Sequence, residues 1–139
     1  MSRDELAKHV EEIYQTRLKN DVETTLTFFA EDGVFRFAAA PELGLFPPPV
    51  SKRTDRESML RELLATWEWL ELENWVATVD GSRAAVRYTL KVKFAPTGDV
   101  VTTELFDHLS FDESGSITEF VEFADTAQVA QLLTKLQGS

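Results

Sequence analysis

The chain has 139 residues, 43% hydrophobic and 11% aromatic, with a formal charge of −10 at pH 7. That length fits one domain, residues 1–139, able to bury a core without cross-links. The acidic balance argues against nucleic acid or an anionic membrane as partner, and the lack of cysteine excludes disulfides, a thiolate nucleophile and thiolate-bound zinc.

Only His9 and His108 are histidines, and they lie far apart, so no histidine metal centre is expected and none of the candidate residues below implies a cofactor. No apolar run approaches the roughly 20 residues of a membrane span. The polar start Met1-Ser2-Arg3-Asp4-Glu5 is unlike the apolar core of a signal peptide, so a cytoplasmic protein is expected.

Ser2-Arg3-Asp4-Glu5 has the form of a capping box, and Leu6, Val10, Ile13, Tyr14 and Leu18 follow at helical spacing. Asn20-Asp21 breaks this helix and starts a short second one with Val22, Leu26 and Phe29 inward, ended by Glu31-Asp32-Gly33. Val34 to Ala38 then reads as a strand with Phe35 and Phe37 on one face. In residues 39–53, Pro41, Gly44 and Pro47-Pro48-Pro49 exclude helix and central strand. Leu43, Leu45 and Phe46 in this long loop either fold over a cavity mouth or patch the edge of the core. Thr54-Asp55-Arg56-Glu57 is a second capping box, opening a helix with Met59, Leu60, Leu63, Leu64 and Trp67 as its buried stripe.

Leu72 to Val79 reads as a strand closed by the turn pair Asp80-Gly81. Ala85 to Phe94 alternates strictly, with Val86, Tyr88, Leu90, Val92 and Phe94 on one face and Arg87, Thr89, Lys91 and Lys93 on the other. Pro96-Thr97-Gly98 turns into a strand that puts Leu105, Asp107, Leu109 and Phe111 on one side. Asp112-Glu113-Ser114-Gly115 turns again into Ile117 to Ala124, and Asp125-Thr126-Ala127-Gln128 caps a last helix with Val129, Leu132, Leu133 and Leu136 buried. Helices first and an antiparallel meander after them make an α+β fold.

Asp107 is the leading candidate for chemistry. A carboxyl group among apolar neighbours must be paired, hydrated or protonated, and such residues build sites. The plainer alternative is a buried aspartate that satisfies backbone groups. Tyr14 lies on the buried stripe of the first helix, and its hydroxyl needs a partner, which Asp107, a ligand oxygen or a bound water would supply. Phe35, Phe37, Trp67, Tyr88, Leu90 and Phe120 either line a cavity for a small apolar molecule or fill the core. His108 points opposite to Asp107, beside Phe106, which suggests a homodimer contact on the outer face of the sheet.

The element order, with Phe29-Ala30-Glu31-Asp32-Gly33-Val34 leading into the first strand and Ile117 to Thr126 closing the meander, resembles the NTF2-like superfamily. Within it the chain is similar to SnoaL-like proteins and to ketosteroid isomerase. The resemblance implies a cone, in which a curved antiparallel sheet wraps three N-terminal helices around a cavity, with a C-terminal helix and dimerisation through the outer sheet face. It places Asp107 where the isomerase keeps a protonated aspartic acid and Tyr14 near its hydrogen-bonding tyrosine. Phe37 falls where the isomerase has its general base, so steroid isomerisation by that route is not expected.

The family pattern turns Phe120, Glu122 and Ala124 inward, whereas periodicity favours Ile117, Val121 and Phe123. One residue of turn length decides between them. Asp107 and Tyr14 are the catalytic candidates to bind or protonate a developing oxyanion, with Glu122 or a water shuttling the proton; with both acids inward, their repulsion would make one an acid and the other a base. The implied function is then a cofactor-independent isomerase, cyclase or dehydratase acting by acid–base chemistry on a small apolar, oxygen-bearing molecule. The alternative is a non-catalytic dimeric module that binds a small ligand or fills its cavity with side chains.

Overall fold

The computed structural model describes residues 1–50 and 52–138. Ser2 caps the first helix, α1 (Arg3–Leu18), its hydroxyl accepting from the Glu5 amide at 3.2 Å. Leu6, Val10, Ile13 and Tyr14 are buried as their spacing requires, but the stripe ends in buried Arg17 and leaves Leu18 at the edge of the core. Asp21 caps α2 (Val22–Thr27) through the Thr24 amide at 3.1 Å. That helix is shorter than expected. Phe29 opens the strand β1 (Phe29–Phe37), and Glu31-Asp32-Gly33 lies inside the strand instead of ending a helix.

The reason is packing against another strand. β1 shifts register between Phe29 and Val34, and a Cβ on Gly33 would meet the Ile117 carbonyl oxygen at 2.5 Å, so only glycine permits the approach. The following loop holds a 3-10 turn, Pro41–Leu43, and returns as Val50 bridges Phe35. α3 (Arg53–Thr66) begins one residue before the expected capping box, with Lys52 at the cap and no side-chain cap bond. Thr54 therefore sits within its first turn. Leu60 and Leu64 are buried, while Met59 and Leu63 pack at the rim.

Trp67 does not continue that helical stripe. It opens β2 (Trp67–Asp80), a strand longer than Leu72 to Val79 because the chain passes directly from helix to strand. Two register shifts bend β2 against β3 (Arg83–Phe94), which runs antiparallel beside β4 (Asp99–Phe111) and then β5 (Ile117–Phe123). The sheet order is β1-β5-β4-β3-β2, antiparallel except that β1 joins β5 in parallel. Sequence periodicity carries no information on that long-range pairing.

The curved sheet wraps α1 to α3, and Val86, Tyr88, Leu90, Leu105, Leu109 and Phe120 pack from it into the core. α4 (Thr126–Gln137) is capped by Asp125 and lies at the open end, where Gln128 Nε2 donates to the Thr102 carbonyl at 3.3 Å and Lys135 pairs with Asp99 at 2.8 Å. Only Val129 and Leu132 of its expected stripe are buried; Leu133 is half-buried and Leu136 is 40% exposed. On the outer sheet face Phe106 and Phe123 meet edge to face, both exposed, with ring centroids 6.2 Å apart. No helix among the described residues is long and apolar enough to cross a membrane.

Candidate active site

A register shift just inside β5 sets the facing of Glu122. Phe111 pairs with Ile117 and Ser110 with Glu119, so a register shift between these pairs inserts one residue into β5. Ile117 is inward before the shift, and Phe120 and Glu122 are inward after it. Each expected register is thus right for part of the strand. Val121 and Phe123 turn to the outer face, where Val121 is nevertheless covered.

Glu122 is the direct ladder partner of Asp107, and on its other side it pairs with Phe37. Two carboxyl groups thus stand side by side on the concave face. Their surroundings differ. Asp107 is fully buried, and its Oδ2 accepts from the Tyr14 hydroxyl at 2.6 Å and the Tyr88 hydroxyl at 2.7 Å. Its Oδ1 is enclosed with no hydrogen-bond partner among the described residues. Burial first, then the neighbouring Glu122 charge, pushes Asp107 well above the usual carboxylate range, and the two phenol hydrogen bonds only partly oppose this.

Burial and the charge of Asp107 likewise push both tyrosines well above their ordinary value, so they act as neutral donors. Their rings meet edge to face at 5.3 Å, and Trp75 closes on Tyr14 at 4.8 Å. This is a sealed cluster. Asp107 and Tyr88 lie behind the cavity wall, while Tyr14 contributes to the wall with its hydroxyl already engaged.

Glu122 does line the cavity, and no protein group donates to its carboxylate among the described residues. Burial pushes it up to about 7, with Arg17 opposing. Arg17 shares the wall and was missed by the sequence reading. Burial lowers its guanidinium to about 10, against the opposing charge of Glu122. It lies 4.6 Å from the centre of the Trp69 ring and donates from Nη2 to the Trp67 carbonyl at 2.7 Å and from Nη1 to Asn20 Oδ1 at 3.2 Å. A signal was available: Arg17 falls three residues after Tyr14 and four after Ile13, on the buried stripe, where an arginine is rare unless it is held there.

The rest of the wall is apolar. Phe35, Phe37, Trp67, Leu90 and Phe120 line a cavity of about 100 Å³ between sheet and helices, with Trp69, Leu105 and Val129. Phe46 reaches over from the proline-rich loop and stacks on Phe37, with centroids 4.0 Å apart and ring planes at 10°. Of the loop's apolar residues Phe46 is therefore the one at the mouth, whereas Leu43 is exposed. No group of three histidine, aspartate or glutamate side chains is placed to hold a metal ion among the described residues.

Residues 10–120 match the SnoaL-like domain family. Solved structures share the architecture at low identity. A polyketide cyclase candidate from Xanthomonas campestris pv. campestris is 18% identical with a TM-score of 0.76, the match covering 93% of this chain and 97% of that one. The BvnE pinacolase from Penicillium brevicompactum is 19% identical with a TM-score of 0.75, over 98% and 96% of the two chains. An NTF2-like protein from Burkholderia xenovorans LB400 is 16% identical with a TM-score of 0.75, over 94% and 97%. No curated protein matches the sequence. With its helices packed in a curved mixed sheet and the family match spanning most of its length, the chain belongs to the SnoaL-like domain family.

Proposed function

We propose that the protein is a cofactor-independent acid–base enzyme, an isomerase, cyclase or dehydratase, acting in the cytoplasm on a small apolar molecule that bears oxygen. The observation that carries this reading is Glu122: a carboxylate on an apolar cavity wall, lacking a protein donor and raised to about 7. A general acid–base works best when its pKa lies near the working pH. The site where ketosteroid isomerase has its base is filled here by Phe37, but Glu122 is the ladder partner of Phe37 on the adjacent strand. The carboxylate is displaced by one strand.

Asp107, protonated beside it, holds no second negative charge on the rung, so Glu122 alone cycles between its two states. Tyr14 and Tyr88 fix the Asp107 carboxyl in place, and Phe35, Phe37, Trp67, Leu90 and Phe120 enclose the apolar part of the substrate. Polyketide cyclase and pinacolase chemistry among structural neighbours is compatible with proton transfers of this kind. The exposed Phe106–Phe123 pair, with His108 beside it, supports a homodimer contact on the outer sheet face.

The direct test is deuterium uptake at the α carbon of a small cyclic ketone such as cyclopentanone, followed by NMR in heavy water. Wild type should exchange the α protons and Glu122→Gln should lose that exchange by about 100-fold or more. A second reading, a binding module, draws on the two phenols that saturate Asp107 Oδ2. It would be favoured if wild type bound the ketone without exchanging its protons.

A further inference from the structure

Proton abstraction next to a carbonyl moves negative charge onto an oxygen, and that oxygen needs a donor. The sealed cluster cannot supply one. Tyr14 and Tyr88 each have a single hydroxyl proton, and both are given to Asp107 Oδ2 at 2.6 and 2.7 Å. Asp107 itself does not reach the cavity. Of the cavity residues Arg17, Glu122 and Asp125 are charged, and Arg17 alone is a cation.

Arg17 is held for such a task. Its one bond to the Trp67 carbonyl and one to Asn20 fix the plane of the guanidinium, and Trp69 supports its face. The remaining N–H bonds, Nε included, have no protein partner among the described residues, and no ion pair joins Arg17 to a carboxylate there. The spare donors of this largely buried cation are not closed off by protein and open on the cavity, where water or a ligand oxygen completes them.

We infer that Arg17 is the oxyanion-binding catalytic residue, and that the substrate is an enolisable carbonyl compound whose oxygen docks on its guanidinium. This rests on the acid–base reading of Glu122. In the step, the Glu122 carboxylate takes the proton from the carbon beside the carbonyl. The C–H electron pair becomes the enol C=C bond, and the carbonyl π pair becomes the oxyanion facing Arg17. In a conjugated substrate the proton returned to the far carbon of the dienolate gives an isomer; attack of the enolate carbon on a second carbonyl carbon closes a ring, the π pair of that carbonyl moving onto its oxygen, which takes the proton back from Glu122. Throughout, one negative charge is shared by carboxylate and substrate beside one fixed positive charge. The site's net charge does not change, so little reorganisation accompanies the reaction.

The probe is 4-nitrophenol, whose anion mimics a planar enolate and is visibly yellow, compared with its uncharged methyl ether, 4-nitroanisole. Bound to wild type, the phenol should ionise at a lower pH than in water, read from its absorbance. Arg17→Gln should abolish that shift and lower ketone exchange by about 100-fold, while 4-nitroanisole still binds. Arg17→Lys, which keeps the charge but not the fork, should retain part of the shift, and it guards against a misfolded glutamine variant. Glu122→Gln, by removing the competing negative charge, should enlarge the shift.

A wild-type protein that binds 4-nitrophenol only in its neutral form overturns the inference, as does an unchanged shift in Arg17→Gln. Loss of exchange in Glu122→Gln together with either result would leave the acid–base reading standing and remove Arg17 from it. Retention of exchange in Glu122→Gln would remove the acid–base reading itself.

Discussion

Asp107 and Glu122 stand on one rung of the β4–β5 ladder, yet they belong to different regions. Asp107 lies in a sealed cluster of phenols and indoles. Glu122 opens onto a cavity and faces an arginine. Both are raised by burial, so burial does not separate a catalytic carboxyl from a structural one. Access and partners separate them: Asp107 has two donors on one oxygen and no path to a ligand, whereas Glu122 has a path and no donor. The two buried arginines repeat the contrast. Arg56 donates to the Glu31 and Gly33 carbonyls at 3.1 and 2.7 Å and lies near the Phe29 ring, but away from the cavity, so it ties α3 to β1.

The largest effect that would sharpen this contrast is functional. Glu122→Gln should reduce α-proton exchange by about 100-fold or more, whereas Tyr88→Phe, which leaves the Tyr14 bond to Asp107 in place, should change exchange less than tenfold; kcat for both variants checks the pair. The next is structural. Asp107→Ala strands two buried phenol hydroxyls and should cost about 2–4 kcal/mol of unfolding free energy, measured by urea denaturation, while Glu122→Ala at the cavity wall should cost less.

pH distinguishes the two regions next. Glu122 is raised on folding, so its proton is bound more tightly in the native state. Its contribution to stability is complete below the ordinary glutamate value of 4.5 and is lost as pH rises to about 7. Wild type should therefore lose stability across that window, by about 3 kcal/mol at most. Glu122→Gln should flatten the loss, with Tm raised at pH 8 and little altered near pH 5. The exposed Asp21 and Asp112 and the half-buried Asp99 are lowered by local hydrogen bonds, so they act below this window, with stability lost as pH falls under their ordinary range. The smallest effect is expected at the mouth. Phe46→Ala removes the ring stacked on Phe37 and should cost about 1 kcal/mol or less, as Phe46 is only half-buried, while altering KM more than kcat.

Much of the fold was legible. Ser2, Asp21 and Asp125 cap helices where their side chains reach the third following amide, and the alternation from Ala85 to Phe94 sets one face of β3. The long-range pairings were not. Parallel docking of β1 on β5 converted Phe29 from helix to strand, and direct passage from α3 into β2 took Trp67 out of the helical stripe. At the site, strand periodicity placed Asp107 on the inner face, but it could not show that Tyr14 and Tyr88 would seal it from the cavity. Glu122 was ambiguous because a one-residue shift inside β5 makes both registers partly true. Arg17 was overlooked because a charged residue on an apolar stripe reads as its edge, and only the Trp67 carbonyl, fifty residues away in sequence, explains its burial.

The account is tested most directly by carbon-detected NMR titration of the two carboxyl groups, with Asp107→Asn and Glu122→Gln used for assignment. The expected result is Glu122 titrating near 7 and Asp107 remaining protonated well above the usual aspartate range. A Glu122 resonance that titrates near 4.5, its ordinary value, would contradict its role as the proton carrier.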